Sequence, residues 1–156
     1  MSKDISRRSF LKTGTAAAVG LSMAPGMFAA PASKKKAAPA PMDRKLKILG
    51  VGIGGRGAAV LSALETEEII GLCDVDTKYA AHVFDRYPNA KRYTDYRKMY
   101  EELLDEADAV VVATADHTHA IIAAEAIAAG KHVYCEKPLV HSIYEARLLT
   151  KLAEKH

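Results

Sequence analysis

Gly52-Ile53-Gly54-Gly55-Arg56-Gly57 fits the spacing G-x-G-x-x-G directly after an apolar run, Leu46-Lys47-Ile48-Leu49-Gly50-Val51. The next segment, Arg56 to Glu65, has helical spacing with Val60, Leu61 and Leu64 on one face. A glycine turn between a strand and a helix constrains this chain more than any other feature, because each glycine has its own task. One closes the tight turn, one lets the backbone approach a pyrophosphate, and one lets helix and strand pack closely. The start of the helix adds free N–H donors and the positive end of a dipole for the phosphates. The letters also fit from Gly50 to Gly55, but that register would put the first turn inside the strand.

A glycine pattern alone is common, and Asp74 gives this one its meaning. It stands 20 residues after Gly54, at the end of the second apolar run, Ile69 to Cys73. A carboxylate there accepts from both the 2′- and 3′-hydroxyls of an adenosine ribose and repels a 2′-phosphate. The residues therefore predict a dinucleotide site that takes NAD in preference to NADP. Gly52, Ile53, Gly54, Gly55, Arg56 and Gly57 would form its cradle, and Asp74 would hold the ribose.

The rest of the chain keeps the same alternation. Lys78 to Tyr87 is helical and stopped by Pro88, Lys91 to Tyr93 is a short strand, and Asp95 to Leu104 is a helix. Asp108 to Thr114 is the most apolar strand. His117 to Ala129 is an Ala-rich helix closed by Gly130. Lys131 to Cys135 gives a fifth strand, and Ser142 to His156 a last helix. Strand followed by helix, throughout, predicts an α/β fold: a doubly wound parallel sheet with right-handed crossovers and helices on both faces. Such a fold wants a sixth strand. None comes after it, so residues 46–156 read as a dinucleotide-binding domain incomplete at its C-terminus, the front part of a longer protein.

The charge separates the beginning of the chain from this domain. The formal net charge is +3, but the basic excess lies in the first 47 residues, and the remainder is acidic. An acidic folded part argues against a nucleic-acid surface. The 2 cysteines are too few for a disulfide scaffold or a four-thiolate zinc site. Cys73 and Cys135 end the second and fifth strands. In the strand order of such a sheet they lie about 14 Å apart, beyond the ~7 Å limit for a disulfide. Both are expected as free thiols.

Ser6-Arg7-Arg8-Ser9-Phe10-Leu11-Lys12 precedes a small-residue apolar stretch from Thr13 to Ala30, interrupted by Pro25 and Gly26. A charged start, an apolar middle and a small-residue end make a secretory signal. The adjacent arginines followed by Phe-Leu-Lys resemble the twin-arginine signal. The apolar stretch falls short of the ~20 residues of a bilayer span. Residues 1–32 are therefore read as a signal peptide, cleaved near Ala30-Pro31-Ala32. Residues 33–45, rich in Lys, Ala and Pro, are read as a flexible linker. The implied partner is the twin-arginine export machinery. The implied destination is the periplasm, reached after folding in the cytoplasm.

Two further blocks are Ala113-Thr114-Ala115-Asp116-His117-Thr118-His119-Ala120 and Gly130-Lys131-His132-Val133-Tyr134-Cys135-Glu136-Lys137-Pro138-Leu139. With them, residues 46–156 resemble the Gfo/Idh/MocA oxidoreductases. The resemblance implies an NAD-binding domain ahead of a second, larger α/β domain, and a sugar, polyol or inositol-like substrate. It also implies that Lys137, in Glu136-Lys137-Pro138, hydrogen-bonds the reacting hydroxyl and the nicotinamide ribose. Thr114, Asp116, His119 and Glu136 would join the cofactor contacts, with His119 near the nicotinamide as a second catalytic candidate. Where the family commonly has a proline, this chain has Ala115, which is expected to loosen the loop. His117 and His119 lack a third convergent ligand, so no metal is expected. The acid/base of the second domain, and any homo-oligomer contact made by it, would lie past His156. A glycoside-cleaving member of the family and a non-catalytic dinucleotide binder remain the alternatives.

Overall fold

The computed structural model describes residues 43–156. The signal, its cleavage site and the linker up to residue 42 lie outside the described residues. Five strands and five helices alternate: β1 (Lys47–Val51), α1 (Arg56–Ser62), β2 (Glu68–Cys73), α2 (Ala81–Arg86), β3 (Lys91–Tyr93), α3 (Tyr96–Leu103), β4 (Ala109–Val112), α4 (Asp116–Ala128), β5 (His132–Cys135) and α5 (Ile143–Lys155). All strand pairs are parallel, in the order β3-β2-β1-β4-β5. The doubly wound sheet expected from the sequence is the fold observed, and β5 is its last strand among the described residues.

The apolar runs are continuous because both faces of the sheet are covered. Successive strand residues point to opposite faces. Leu49, Val51, Val110 and Val112 pack with Met99 and Leu103 of α3 and Ile122 of α4. Ile48 and Val111 pack instead with Leu61 of α1 and with Val83 and Phe84 of α2. Each fully buried side chain of this size contributes about 1.5–3 kcal/mol. Removing any of the central valines would therefore be felt on one face only.

Several element ends differ from the sequence reading, for local reasons. The second helix begins at Ala81 rather than Lys78. The Asp76 carboxylate accepts from the N–H groups of Lys78 and Tyr79 at 3.1 and 2.9 Å, which holds those residues in a turn. The first helix ends at Ser62 rather than Glu65, because Ala63 and Leu64 bond back three residues, to Val60 and Leu61, and tighten the last turn. The last residues of the expected linker, 33–45, fall within the described part, and one of them is held by the domain. Arg44 makes a two-pronged pair with Asp108, at 2.6 and 2.7 Å, and is thereby tied to the chain just ahead of β4.

Cys73, Val51, Val112 and Cys135 form one row across the sheet. Three strand spacings separate the two thiols, and both are free. Burial pushes the Cys73 thiol up to about 12 and the Cys135 thiol up to about 11. Neither is a reactive thiolate at neutral pH.

Candidate functional site

A cleft of about 870 Å³ opens beyond the carboxyl ends of β1, β2 and β4. The chain runs from β1 outward to β2 and β3, and then returns to the other side of β1 to lay down β4 and β5. The crevice lies where that direction reverses, the place where open α/β sheets take their ligands. Its volume falls within the ordinary range of ligand pockets.

The glycine turn forms one wall. Gly52 has φ +77°, a region that side chains rarely adopt, and a Cβ there would strike the backbone of Ala113 and Thr114 at the end of β4. Gly57 packs on the Gly52 carbonyl with no room for a Cβ. The turn therefore starts at Gly52, and Gly50 stays within the strand, as the preferred register required. Ile53 departs from the expected cradle. Its side chain is 1% exposed in the core over α1 and α2, so only its backbone is available to a ligand.

Asp74 lies where the sequence put it and is already engaged. One carboxylate oxygen accepts from the Gly54 N–H at 2.8 Å, the other from the Asp76 N–H at 3.0 Å. A carboxylate has about four acceptor positions, so two remain for ribose hydroxyls. Beyond it, Val75 is 87% exposed and carries no charge that would favour a 2′-phosphate. The Tyr79 ring lies over Gly54, closing the outer side of the turn. Tyr79, Val75, Tyr96 and Arg97 line the cleft. None of them is implied by the glycine motif. The cue was Val75 and Tyr79, apolar and aromatic groups just after the acid.

The second wall comes from the chain after β4. Thr114 lines the cleft, and its hydroxyl lies 2.7 Å from that of Thr118. His117 and Thr118 also line it. His119 does not. It is 1% exposed, with Nδ1 2.7 Å from the Pro138 carbonyl and Nε2 3.0 Å from the Thr114 carbonyl. The ring ties the loop after β4 to the loop after β5, because helical spacing places it with Ala120, Ile122 and Ala123 among the buried residues of α4, while Asp116 and His117 are exposed. Asp116, at the first turn of α4, is exposed and is not part of the cleft lining.

Glu136, Lys137 and Pro138 come after β5 at the same edge of the sheet. The Glu136 N–H donates to the Val112 carbonyl at 2.9 Å. Its carboxylate accepts from Arg56 Nε at 2.8 Å, from the Tyr134 hydroxyl at 3.2 Å and from the Lys137 N–H at 3.2 Å. The Arg56 guanidinium holds that carboxyl below the usual range, against the opposing effect of burial. Glu136 is thus spent on protein partners. Lys137 is exposed, and its bond to Pro138 is cis. Among the described residues no group of three or more His, Cys, Asp or Glu side chains gathers as a metal site.

These features define a dinucleotide-binding α/β protein: a turn floor bare of side chains, an acid just after the second strand with acceptor positions to spare, and an uncharged neighbour. Residues 44–156 match the model of the oxidoreductase family with an NAD-binding Rossmann fold, Gfo/Idh/MocA, and the chain belongs to that family. Its cofactor is NAD. Residues 4–24 match the signal sequence of the twin-arginine translocation pathway, which addresses the chain for export to the periplasm.

Among its relatives, inositol 2-dehydrogenase of Salmonella paratyphi B is 26% identical over 118 residues, covering 74% of this chain and 34% of that protein. Glycosyl hydrolase family 109 protein 2 of Shewanella sp. strain ANA-3 is 32% identical over 167 residues, covering 95% of this chain and 37% of that protein. The crystal structure of the WlbA dehydrogenase from Chromobacterium violaceum, with NADH and UDP-GlcNAcA, superposes with a TM-score of 0.67 at 28% identity. That match covers 76% of this chain and 34% of the WlbA chain. The chain thus spans about a third of the length of the curated relatives it matches.

Proposed function

We propose that this chain is the NAD-binding portion of an exported oxidoreductase that moves a hydride to or from a sugar, polyol or inositol-like substrate. The observation that carries the reading is the strand order. It supports a single working edge, where the glycine turn, Asp74 and Glu136-Lys137-Pro138 all follow the carboxyl ends of parallel strands of one sheet, β1, β2 and β5. Bound NAD supplies a hydride acceptor. Gly52 and Gly55 offer backbone to the pyrophosphate, Asp74 takes the adenosine ribose, and Thr114 faces the same cleft. Lys137 presents an ammonium to the reacting hydroxyl, favouring the alkoxide-like transition state by its charge. His119 is a positioning residue in this reading, fixing the Pro138 carbonyl next to Lys137.

The test uses the full-length protein with myo-inositol and a set of sugar nucleotides, following NADH at equilibrium and under turnover. Lys137→Met should lower kcat by about 10²-fold or more, as expected for one lost electrostatic donor, with little change in NADH affinity. Unchanged kcat would remove Lys137 from the reaction.

A second reading has its own support, the likeness to the glycosyl hydrolase family 109 protein over 95% of this chain. There, transient oxidation of a ring carbon would acidify its neighbour and permit elimination of the glycosidic oxygen, with the hydride then returned. Release of nitrophenol from p-nitrophenyl glycosides in the presence of NAD, without net NADH, favours this reading over dehydrogenation.

A further inference from the structure

Arg56 stands just before the last glycine of the turn, yet its side chain reaches across the edge of the sheet. Its Nε lies 2.8 Å from Glu136 Oε1. The strands that carry the two turns are not neighbours, since β4 lies between β1 and β5. The ion pair therefore spans one strand and ties the glycine turn to the Glu136-Lys137-Pro138 turn. The two partners are unequal: the Glu136 side chain is 10% exposed and that of Arg56 67%. Arg56 is the first residue of α1, where a cation opposes the helix dipole, so helix electrostatics does not account for it. The buried carboxylate does. Without a cation, Glu136 would be a charge largely removed from water, with only the Tyr134 hydroxyl and one backbone N–H to hold it.

We propose that Arg56 is a positioning residue for Lys137: by occupying the Glu136 carboxylate, it leaves the neighbouring ammonium free to face the substrate hydroxyl. The next cation along the chain from Glu136 is Lys137 itself. If Arg56 is removed, the orphaned carboxylate attracts that ammonium, raises its proton affinity and draws it away from the substrate hydroxyl. The same pair couples the glycine turn to the Glu136-Lys137-Pro138 turn, because a dinucleotide seated on the former meets an Arg56 already anchored to the latter. The proposal rests on the reading of Lys137 as the cationic group of the site.

Competitive acetylation of the full-length protein with acetic anhydride, read by mass spectrometry, reports the reactivity of Lys137 without a known substrate. Lys47 and Lys131 serve as internal references. Arg56→Met should lower Lys137 labelling about tenfold, the equivalent of one pKa unit. Arg56→Lys, which keeps the cation, should label as the wild type does. Arg56→Met combined with Glu136→Gln, which removes the orphaned charge, should restore labelling. Where Arg56→Met fails to fold, Arg56→Gln keeps a donor for Glu136 without the charge, and labelling lower by about threefold or more is expected. Unchanged Lys137 labelling in the neutral Arg56 variant overturns the proposal, as does labelling that stays low in the double variant. NADH titration of the wild type runs alongside. Its failure would sink the oxidoreductase reading, while the labelling would still decide the role of Arg56.

Discussion

Asp74 was legible from sequence because its position is set by two strand ends and one turn, all fixed by backbone geometry. Its use of the Gly54 N–H at 2.8 Å was not, since that bond depends on how the turn folds back over β2. His119 shows the opposite case. The family resemblance implied a cleft group, but the helix places it inward, between two backbone carbonyls. Ala115 was expected to loosen its loop where relatives commonly have proline. It nevertheless holds φ −69° and ψ 145°, angles that proline itself adopts, at the N-cap of α4. Its N–H enters no backbone hydrogen bond among the described residues. Ala115→Pro should therefore stabilise the folded state by about 0.4–1 kcal/mol, by restricting the unfolded chain. The midpoint of denaturant unfolding should rise; a fall would mean that Thr114 cannot accept the restriction that proline places on the residue before it.

At the scale of elements, every strand and helix was visible, because each has an apolar period that matches its packing. The ends were not, because they are set by side chains that bond locally, as Asp76 does in delaying α2. The start of the domain is set in the same way. Asp108, just ahead of β4, accepts from both prongs of Arg44 and from the Lys47 N–H at 2.8 Å, joining the entry to β1 with the entry to β4. The Arg44 guanidinium, helped by that N–H, holds the Asp108 carboxyl far below the ordinary range. A carboxyl depressed in the folded state adds stability that is fully present above its unfolded pKa of about 3.9 and is lost as pH falls through the folded value. Asp108→Asn should accordingly be less stable than the wild type at neutral pH. The gap should stay constant down to about pH 4 and close below it. Thermal unfolding across that range checks the sign: a gap that widens in acid would contradict the pairing.

For the molecule as a whole, the address and the cofactor share one logic. The twin-arginine route carries folded proteins, and NAD is met in the cytoplasm, where binding stabilises the fold by mass action before export. The charge distribution was readable from sequence directly: the basic excess lies in the first 47 residues, and the remainder has an acidic excess. The substrate was not readable. An inositol dehydrogenase, a glycosyl hydrolase family 109 protein and a dehydrogenase bound to a sugar nucleotide all match, each over only about a third of its own length. The proposed determinant of the dinucleotide is Asp74, just after β2 and bonded to the Gly54 N–H, with uncharged Val75 beside it. The most direct measurement is calorimetric titration of the full-length protein with NAD and with NADP, for the wild type and for Asp74→Ala. The wild type should bind NAD at least about tenfold more tightly, some 1.4 kcal/mol, and Asp74→Ala should erase that preference. Equal affinity of the unaltered protein for the two dinucleotides would contradict the account.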